Sequence, residues 1–335
     1  MTRHHLRAGP DTCVWGWFDA AQAPVLTVRS GDVVTVETVT GPPECVPGPP
    51  FRTPPELAAI HAALPRPPAG HILTGPIAVE GARPGDVLEV RVEEIALRQD
   101  WGYNVIRPLA GTLPDDFPRL RHLNIPLDAA ANVARLPWGL DLPLAPFFGV
   151  MGVAPPPAWG RISTIEPRAH GGNLDLKELT PGATLYLPVH AEGALFSVGD
   201  GHGAQGDGEV CVTAIETALT GTFTLILRRD MGLAAPRAET PTHHVTIGLD
   251  PDLDRCVVKA LRAMIALLRE TAGLSGEDAY TLCSLAADLR VTQTVNREKG
   301  VHCMIDKRFC ASGADRPSRR RHEAAIRLRG HAGGD

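Results

Sequence analysis

The sequence predicts a β-rich fold with a smaller mixed α/β portion at its C-terminal end. Two observations carry this. The 335 residues include 34 glycines and 31 prolines, about a fifth of the chain, which suits many short strands joined by tight turns. Apolar residues recur at alternate positions over much of the length, and a helical period emerges only in the last third. At 44% hydrophobic, the chain has enough apolar side chains for a sizeable core.

Taken in order, the strands share one grammar: a turn with a small residue, then alternation. Gly31-Asp32 leads into Val34 and Val36, and Gly85-Asp86 into Leu88, Val90 and Val92. Pro181-Gly182 leads more loosely into Leu185 and Leu187. Period-two spacing puts each set on one face of a half-buried strand. Further strands are predicted at 72–79, 194–198, 209–217, 222–229 and 244–249. Proline-rich residues 41–70 read as a surface loop with a short helical piece at 55–63, and 107–160 reads as a second long loop. Leu253, Val257, Ala260, Leu261, Met264 and Leu268 follow helical spacing after Asp250-Pro251. Ser275 caps a second helix through Leu285, and disorder is predicted after residue 312. The segments are then 1–160, N-terminal and β-rich; 161–250, a central β domain; 251–312, a small α/β portion; and 313–335, a basic tail.

Charge and cysteine usage narrow the function. The net charge of −5 argues against an extended nucleic-acid surface, and six arginines fall within residues 316–329. No apolar run approaches the ~20 residues of a membrane helix. Seven cysteines without CxxC pairing read as free thiols in a reducing cytoplasm. A cytoplasmic protein with neither nucleic-acid nor membrane partners is expected. There is no GxSxG elbow, P-loop, dinucleotide fingerprint or catalytic-cysteine context, so a hydrolase of this sequence would work through an activated water.

Three clusters carry candidate chemistry. The densest lies between Gly199 and Glu209, where five glycines let the backbone fold sharply. A hairpin-like return would place Asp200 and His202 on one side and Glu209 opposite. Two carboxylates and an imidazole suit a zinc-type divalent ion with an open position for water, and a solvated turn is the alternative. Asp207 is a substitute ligand. The second cluster is Asn173, Asp175 and Lys177, alternating with Leu174 and Leu176; a strand there would put all three polar groups on one face, as a proton-relaying site or as a solvated edge. The third is His71 at the start of a strand, which alone reads as a surface or capped residue. Glu216 reads by default as edge-facing and Cys211 as core. His243 and His244 would point to opposite faces.

The segments HILTGPI from His71, GARPGD from Gly81, PFFGVMGVAP from Pro146, GGNLD from Gly171, GALFSVGDGHGAQGDGEVCVTAIE from Gly193 and DLRVTQTVNREKGV from Asp288 together resemble the acetamidase/formamidase family, over roughly residues 12–310. The resemblance implies β-sandwich and β-barrel modules with a small α/β C-terminal part. It implies hydrolysis of a short aliphatic amide to acid and ammonia, a divalent metal and homo-oligomers. On this reading Asp200, His202 and Glu209 hold the metal, Asp175 is the base with Glu209 or Glu216 as alternatives, and Asn173 holds the substrate amide. His71 completes the pocket wall and Gln205 contacts substrate. A β-rich binding protein that keeps the fold without the chemistry is the alternative. The sequence departs from the family at Gly201, Gly203 and Phe148, which points to a reshaped pocket. Exposed apolar character over 136–159 (Leu136, Trp138, Leu140, Phe147, Phe148) suggests burial against another subunit.

Overall fold

A computed structural model of the chain describes residues 1–310; the basic tail and its expected disorder lie outside the described residues. Three open sheets of four or more strands dominate the fold. The largest runs, edge to edge, through Arg3–Leu6, Asp32–Glu37, Leu219–Arg228, Val87–Leu97, Thr184–Pro188, Arg237–Glu239, His243–Asp250, Lys299–Asp306 and Ala287–Gln293. It therefore draws strands from all three β-bearing segments of the sequence. The three turn-led alternating units fall within this one sheet.

A six-stranded sheet packs face to face against it. Its order is Gly171–Asn173, Phe147–Gly152, Phe196–His202, Ile72–Val79 and Cys13–Trp15, with Leu26–Val28 also paired to Ile72–Val79. Val34, Val36, Leu88, Val90, Val92, Leu185 and Leu187 from the large sheet meet Ile77, Val79, Phe148, Met151 and Phe196 from the smaller one in a single buried core. Phe148 and Phe196 lie 5.6 Å and 6.0 Å from Phe223, ring centre to ring centre. This is a β-sandwich, in which alternation supplies an inner face to each sheet. The sheets of the described residues are traced as open strand orders.

Residues 107–160 are not a loop. They supply Arg121–Asp128, Val133–Leu136 and Leu140–Pro143, which extend Trp101–Ile106 into a four-stranded sheet, and then Phe147–Gly152. Half-exposed strands such as Arg121–Asp128 lack strong alternation, and the prolines sit where they disguise it. Phe147 and Phe148 are fully buried in their own chain, whereas Trp138 and Leu140 remain exposed. The strand expected at 209–217 also fails to form; this segment turns repeatedly and makes only isolated bridges.

The helices match their sequence signals. Asp252 caps Leu253–Ala272 by accepting from the amides of Asp254 and Arg255, and Gly273 ends it at φ 63°. Ser275 caps Gly276–Ala286 through the amide of Asp278. The longer helix lies so close over the large sheet that a Cβ on Gly248 would sit 2.0 Å from the Cys256 carbonyl. All seven cysteines are unbridged. No helix among the described residues is long and apolar enough to cross a membrane.

One buried histidine ties the core to pH. His170 is fully buried, edge-on to Phe18, with neither ring nitrogen hydrogen-bonded. Burial, with help from His190, pushes its pKa down to about 3. The folded ring is therefore neutral while the unfolded one protonates near its ordinary value of about 6.5. Its contribution is fully present above that value and is lost as pH falls towards 3. Between pH 7 and 5 the loss amounts to about 2 kcal/mol. Urea midpoints at the two pH values should converge in His170→Leu relative to wild type, and an undiminished acid shift in the variant would remove His170 as its source.

Candidate active site

The strand Phe196–His202 continues into the glycine-rich segment expected to be a turn; it brings Asp200 to the floor of a cleft, and His202, fully buried, stands beside Asp200 without lining the cleft itself. The cleft has a volume of about 330 Å³ and is lined near its floor by His71, Tyr103, Asn173, Asp200, Glu209 and Glu216. The His202 ring is fully buried, edge-on to Phe147 at 5.0 Å. Around its Nε2 gather Asp200 Oδ2 at 3.2 Å, Glu216 Oε2 at 3.4 Å and Glu209 Oε1 at 4.0 Å, none aligned as a hydrogen bond. His71 approaches from the other side, its Nε2 3.7 Å from Asp200 Oδ2, with its Nδ1 against Thr164 Oγ1.

Of the three residues expected to share an ion, Asp200 and Glu209 each approach His202 Nε2, but the groups whose ligand atoms all lie close to one another are Asp175 with Asp200 and His202, and His202 with Glu209 and Glu216. Glu216 joins them and is neither exposed nor edge-facing. Its arrival depends on isolated bridges that pair its backbone with Tyr103 and with His202, and on the Ala214 amide, which donates to Oε1 at 2.9 Å. Nothing local in the sequence signals this; only a glutamate in an apolar run, costly unless paired, marks it.

Two side-chain amides hold the cluster in place. Gln205 Nε2 donates to the Asp175 carbonyl at 2.9 Å, which turns its Oε1 towards His202 Nδ1 at 3.0 Å. His202 must then carry hydrogen on Nδ1 and aim Nε2 at the carboxylates, as an oriented metal ligand does. Gln205, expected to contact substrate, has both ends of its amide engaged inside the protein. Asn296, which sequence reasoning missed, donates to Asp175 Oδ2 at 2.5 Å and to the Asn173 carbonyl at 3.3 Å.

The second cluster does not form one polar face. Only Gly171–Asn173 is extended, and Asp175 follows at φ 50°. Lys177 turns away to pair with Asp207 at 3.0 Å, and Arg290 binds Asp207 and Glu178, so Asp207 is no substitute ligand and Lys177 does not hold Asp175 ionised. Glu178, Asp207 and His302 lie near one another, but those two cations already balance the carboxylates. Asn173 gives its NH₂ to the Ile165 carbonyl at 3.3 Å and leaves Oδ1 unpartnered and buried. Asp175 does not line the cleft; its Oδ1 faces His202 Nδ1 at 4.0 Å. Cys211 is only half-buried, its thiol against Asn104. Gly201, Gly203 and Phe148 do not line the cleft, and the space beside Gly201 is taken by the Thr217 carbonyl.

Four carboxylates in one buried spot perturb each other. Burial pushes Glu216 up to about 7, and burial with Asp175 holds Glu209 well above the carboxylate range. Burial also raises Asp175. For Asp200, burial is outweighed by His71 and His202, and its pKa falls. For His202, burial is outweighed by Glu216 and Asp200, and its pKa rises well above the ordinary value. Three of the acids, Asp175, Asp200 and Glu209, stand at positive φ, a conformation costing of order 1 kcal/mol or more each and typical of functional sites.

The donor set fits a divalent ion. Asp175, Asp200 and His202 offer atoms within 4.8 Å of one another, as do His202, Glu209 and Glu216. A Cβ on Gly149 would lie 2.5 Å from Asp175 Oδ1 and 2.6 Å from Asp200 Oδ2, so the strand Phe147–Gly152 is bare where the cluster needs room. His202 Nε2 and Asp175 Oδ1 are buried without a hydrogen-bond partner.

Two face-packed sheets with a carboxylate–imidazole cluster beside a cleft define a β-sandwich protein with a buried acidic centre whose groups could hold a metal ion. The chain belongs to the acetamidase/formamidase family, whose model matches residues 24–161 and 157–305. It is 33% identical over 202 residues to a formamidase of Methylophilus methylotrophus, covering 44% of this chain and 49% of the relative. To an acetamidase of Mycolicibacterium smegmatis it is 28% identical over 198 residues, covering 42% and 49%. The chain thus spans about half the length of the curated relatives it matches. The crystal structure of an acetamidase from Bacillus halodurans superposes with a TM-score of 0.79 at 31% identity, covering 91% of this chain and 98% of that one. A γ-lactamase from Delftia acidovorans shares the fold at 20% identity and a TM-score of 0.61, over 95% of each chain.

Proposed function

We propose that the protein hydrolyses the C–N bond of a small amide to a carboxylic acid and ammonia, with a divalent ion of zinc type held by Asp200, His202 and Glu209. The observation that carries this reading is the convergence of Asp200, Glu209 and Glu216 on His202 Nε2 beside the cleft. Family membership supports the amide as substrate class. An ion there supplies Lewis acidity, making a water acidic and polarising an amide carbonyl.

The remaining work falls to the chain's own groups. Amide hydrolysis needs a base for water and an acid for the departing nitrogen, because an amide anion is a poor leaving group. Glu216 suits both: it lines the cleft, and burial raises its pKa above the ordinary carboxylate range, towards the range in which a carboxylate can take and return a proton. Asp175, held by Asn296 behind His202, becomes a positioning group. Asn173 lines the cleft and its buried Oδ1 has no hydrogen-bond partner, an acceptor that suits the substrate NH₂, which a carboxylate product lacks. His71 closes the wall. Ammonia release from formamide, acetamide and propionamide by metal-replete protein tests the reading. Release from at least one is expected, and none from any would favour a binding protein with this fold.

A further inference from the structure

Resting on the amidase reading, we propose that the substrate is an amide whose acyl chain ends in an anionic group, a carboxylate, and that Arg107 receives it. Size comes first. Acetamide has four non-hydrogen atoms, and at about 30 Å³ each, a water molecule's share of liquid volume, it would fill ~120 Å³. The cleft of about 330 Å³ has room for a longer chain beyond the amide.

Charge comes second. The floor is acidic, with Asp200, Glu209 and Glu216, while the outer lining carries Arg66, Arg107 and Glu44. Arg66 is committed: its two terminal nitrogens grip both Glu44 carboxylate oxygens, at 2.9 and 2.5 Å, and tie the two ends of the proline-rich 41–70 loop together. Arg107 has no ion-pair partner among the described residues and is exposed. Glu44, gripped by Arg66, acts on Arg107 only through space, so among the described residues Arg107 is an arginine of this lining that no carboxylate holds. A substrate anion would be repelled by the floor and held at Arg107, so the cleft's charge gradient orients an ω-carboxylated amide with its C–N bond inward.

Position comes third. Arg107 directly follows the strand Trp101–Ile106, whose Tyr103 exchanges backbone hydrogen bonds with Glu216 at 2.9 Å in each direction. Four residues of strand at ~3.3 Å each put the Arg107 backbone roughly 13 Å along from that floor contact. Asn104 Nδ2 donates to the Thr213 carbonyl at 2.9 Å and the Val105 amide to Thr213 Oγ1 at 2.9 Å, so this end of the strand is anchored to the cleft wall. Arg107 thus stands on a fixed base, at a distance that an acyl chain with a terminal carboxylate spans and acetamide does not.

The experiment compares kcat/KM on acetamide, butyramide and succinamate for the wild-type full chain, Arg107→Ala and Arg107→Lys. Wild type should prefer succinamate to butyramide by about tenfold or more, the scale of a charge-assisted hydrogen bond. Arg107→Ala should erase the preference through KM while leaving butyramide within about twofold, and Arg107→Lys should restore part of it. Equal use of the two amides, or a preference that survives Arg107→Ala, overturns the proposal while leaving the amidase reading standing. Should no amide turn over, calorimetric titration with succinamate decides separately. Binding that weakens in Arg107→Ala upholds the ligand class while the amidase reading falls, and absent or unchanged binding overturns the proposal.

Discussion

Replacing His202 with alanine is expected to strip the divalent ion from the purified protein and to lower amide turnover by about a thousandfold or more. His202 Nε2 is the nitrogen on which Asp200, Glu209 and Glu216 converge, and no other imidazole among the described residues approaches all three. Losing the ion forfeits several kcal/mol of transition-state stabilisation, and every ~1.4 kcal/mol is tenfold in rate. Elemental analysis beside an ammonia assay reads both effects. Gln205→Leu is the informative companion, because it leaves every candidate ligand in place and removes the acceptor that fixes the ring, together with the donor to the Asp175 carbonyl. It should cost roughly 10–100-fold in metal affinity, the usual scale for a partner that orients a ligand. Unchanged metal content in His202→Ala would take this histidine out of the centre. Unchanged affinity in Gln205→Leu would show that ring orientation does not limit binding. Because ion binding must displace protons from His202 and Glu209, both held above their ordinary pKa values, affinity should fall as pH falls.

Glu216→Gln should keep the metal and lower kcat by at least ~10²-fold, the ordinary contribution of a general base. The sign of the pH dependence follows from the role. The base must start unprotonated, so wild-type activity should rise with pH on a limb at or below about 7, since a bound cation lowers the pKa that burial raises. That limb should vanish in the residual activity of the variant. Asp175→Asn is the control: the substitution keeps the shape, Asp175 does not line the cleft, and the expected loss is smaller. A larger loss in Asp175→Asn than in Glu216→Gln, with metal retained in both, would transfer the role of base to Asp175. Loss of metal along with activity would place Asp175 among the ligands.

Oligomeric state bears on the exposed apolar side chains that remain. Trp138 and Leu140 are 60% and 50% exposed on the outer part of the four-stranded sheet, whereas Phe147 and Phe148, which looked equivalent in sequence, are internal. The difference is one of strand membership. Phe147–Gly152 is a central strand of the sandwich, flanked by Gly171–Asn173 and Phe196–His202, while Leu140–Pro143 is an edge.

The amino-acid sequence by itself determined those features whose causes are local. Alternation in Val34 and Val36, or in Leu88, Val90 and Val92, decides which face of a strand is apolar, and a sheet face so made must be covered. Asp252 and Ser275 satisfy free amides at their own helix starts. Asp200 and His202, two apart, reach one centre from a single strand. Tertiary structure alone decided the rest of the site, because its members come from distant parts of the chain. Glu216 enters through backbone bridges to Tyr103 and His202, Gly149 leaves space from a neighbouring strand, and Asn296 reaches Asp175 from 121 residues away. Lys177 shows the converse: it is two residues from Asp175, yet a positive φ at Asp175 breaks the alternation and sends the lysine to Asp207. Such contacts depend on which sheet faces which, and no periodicity in one segment encodes the partner that another segment brings to it.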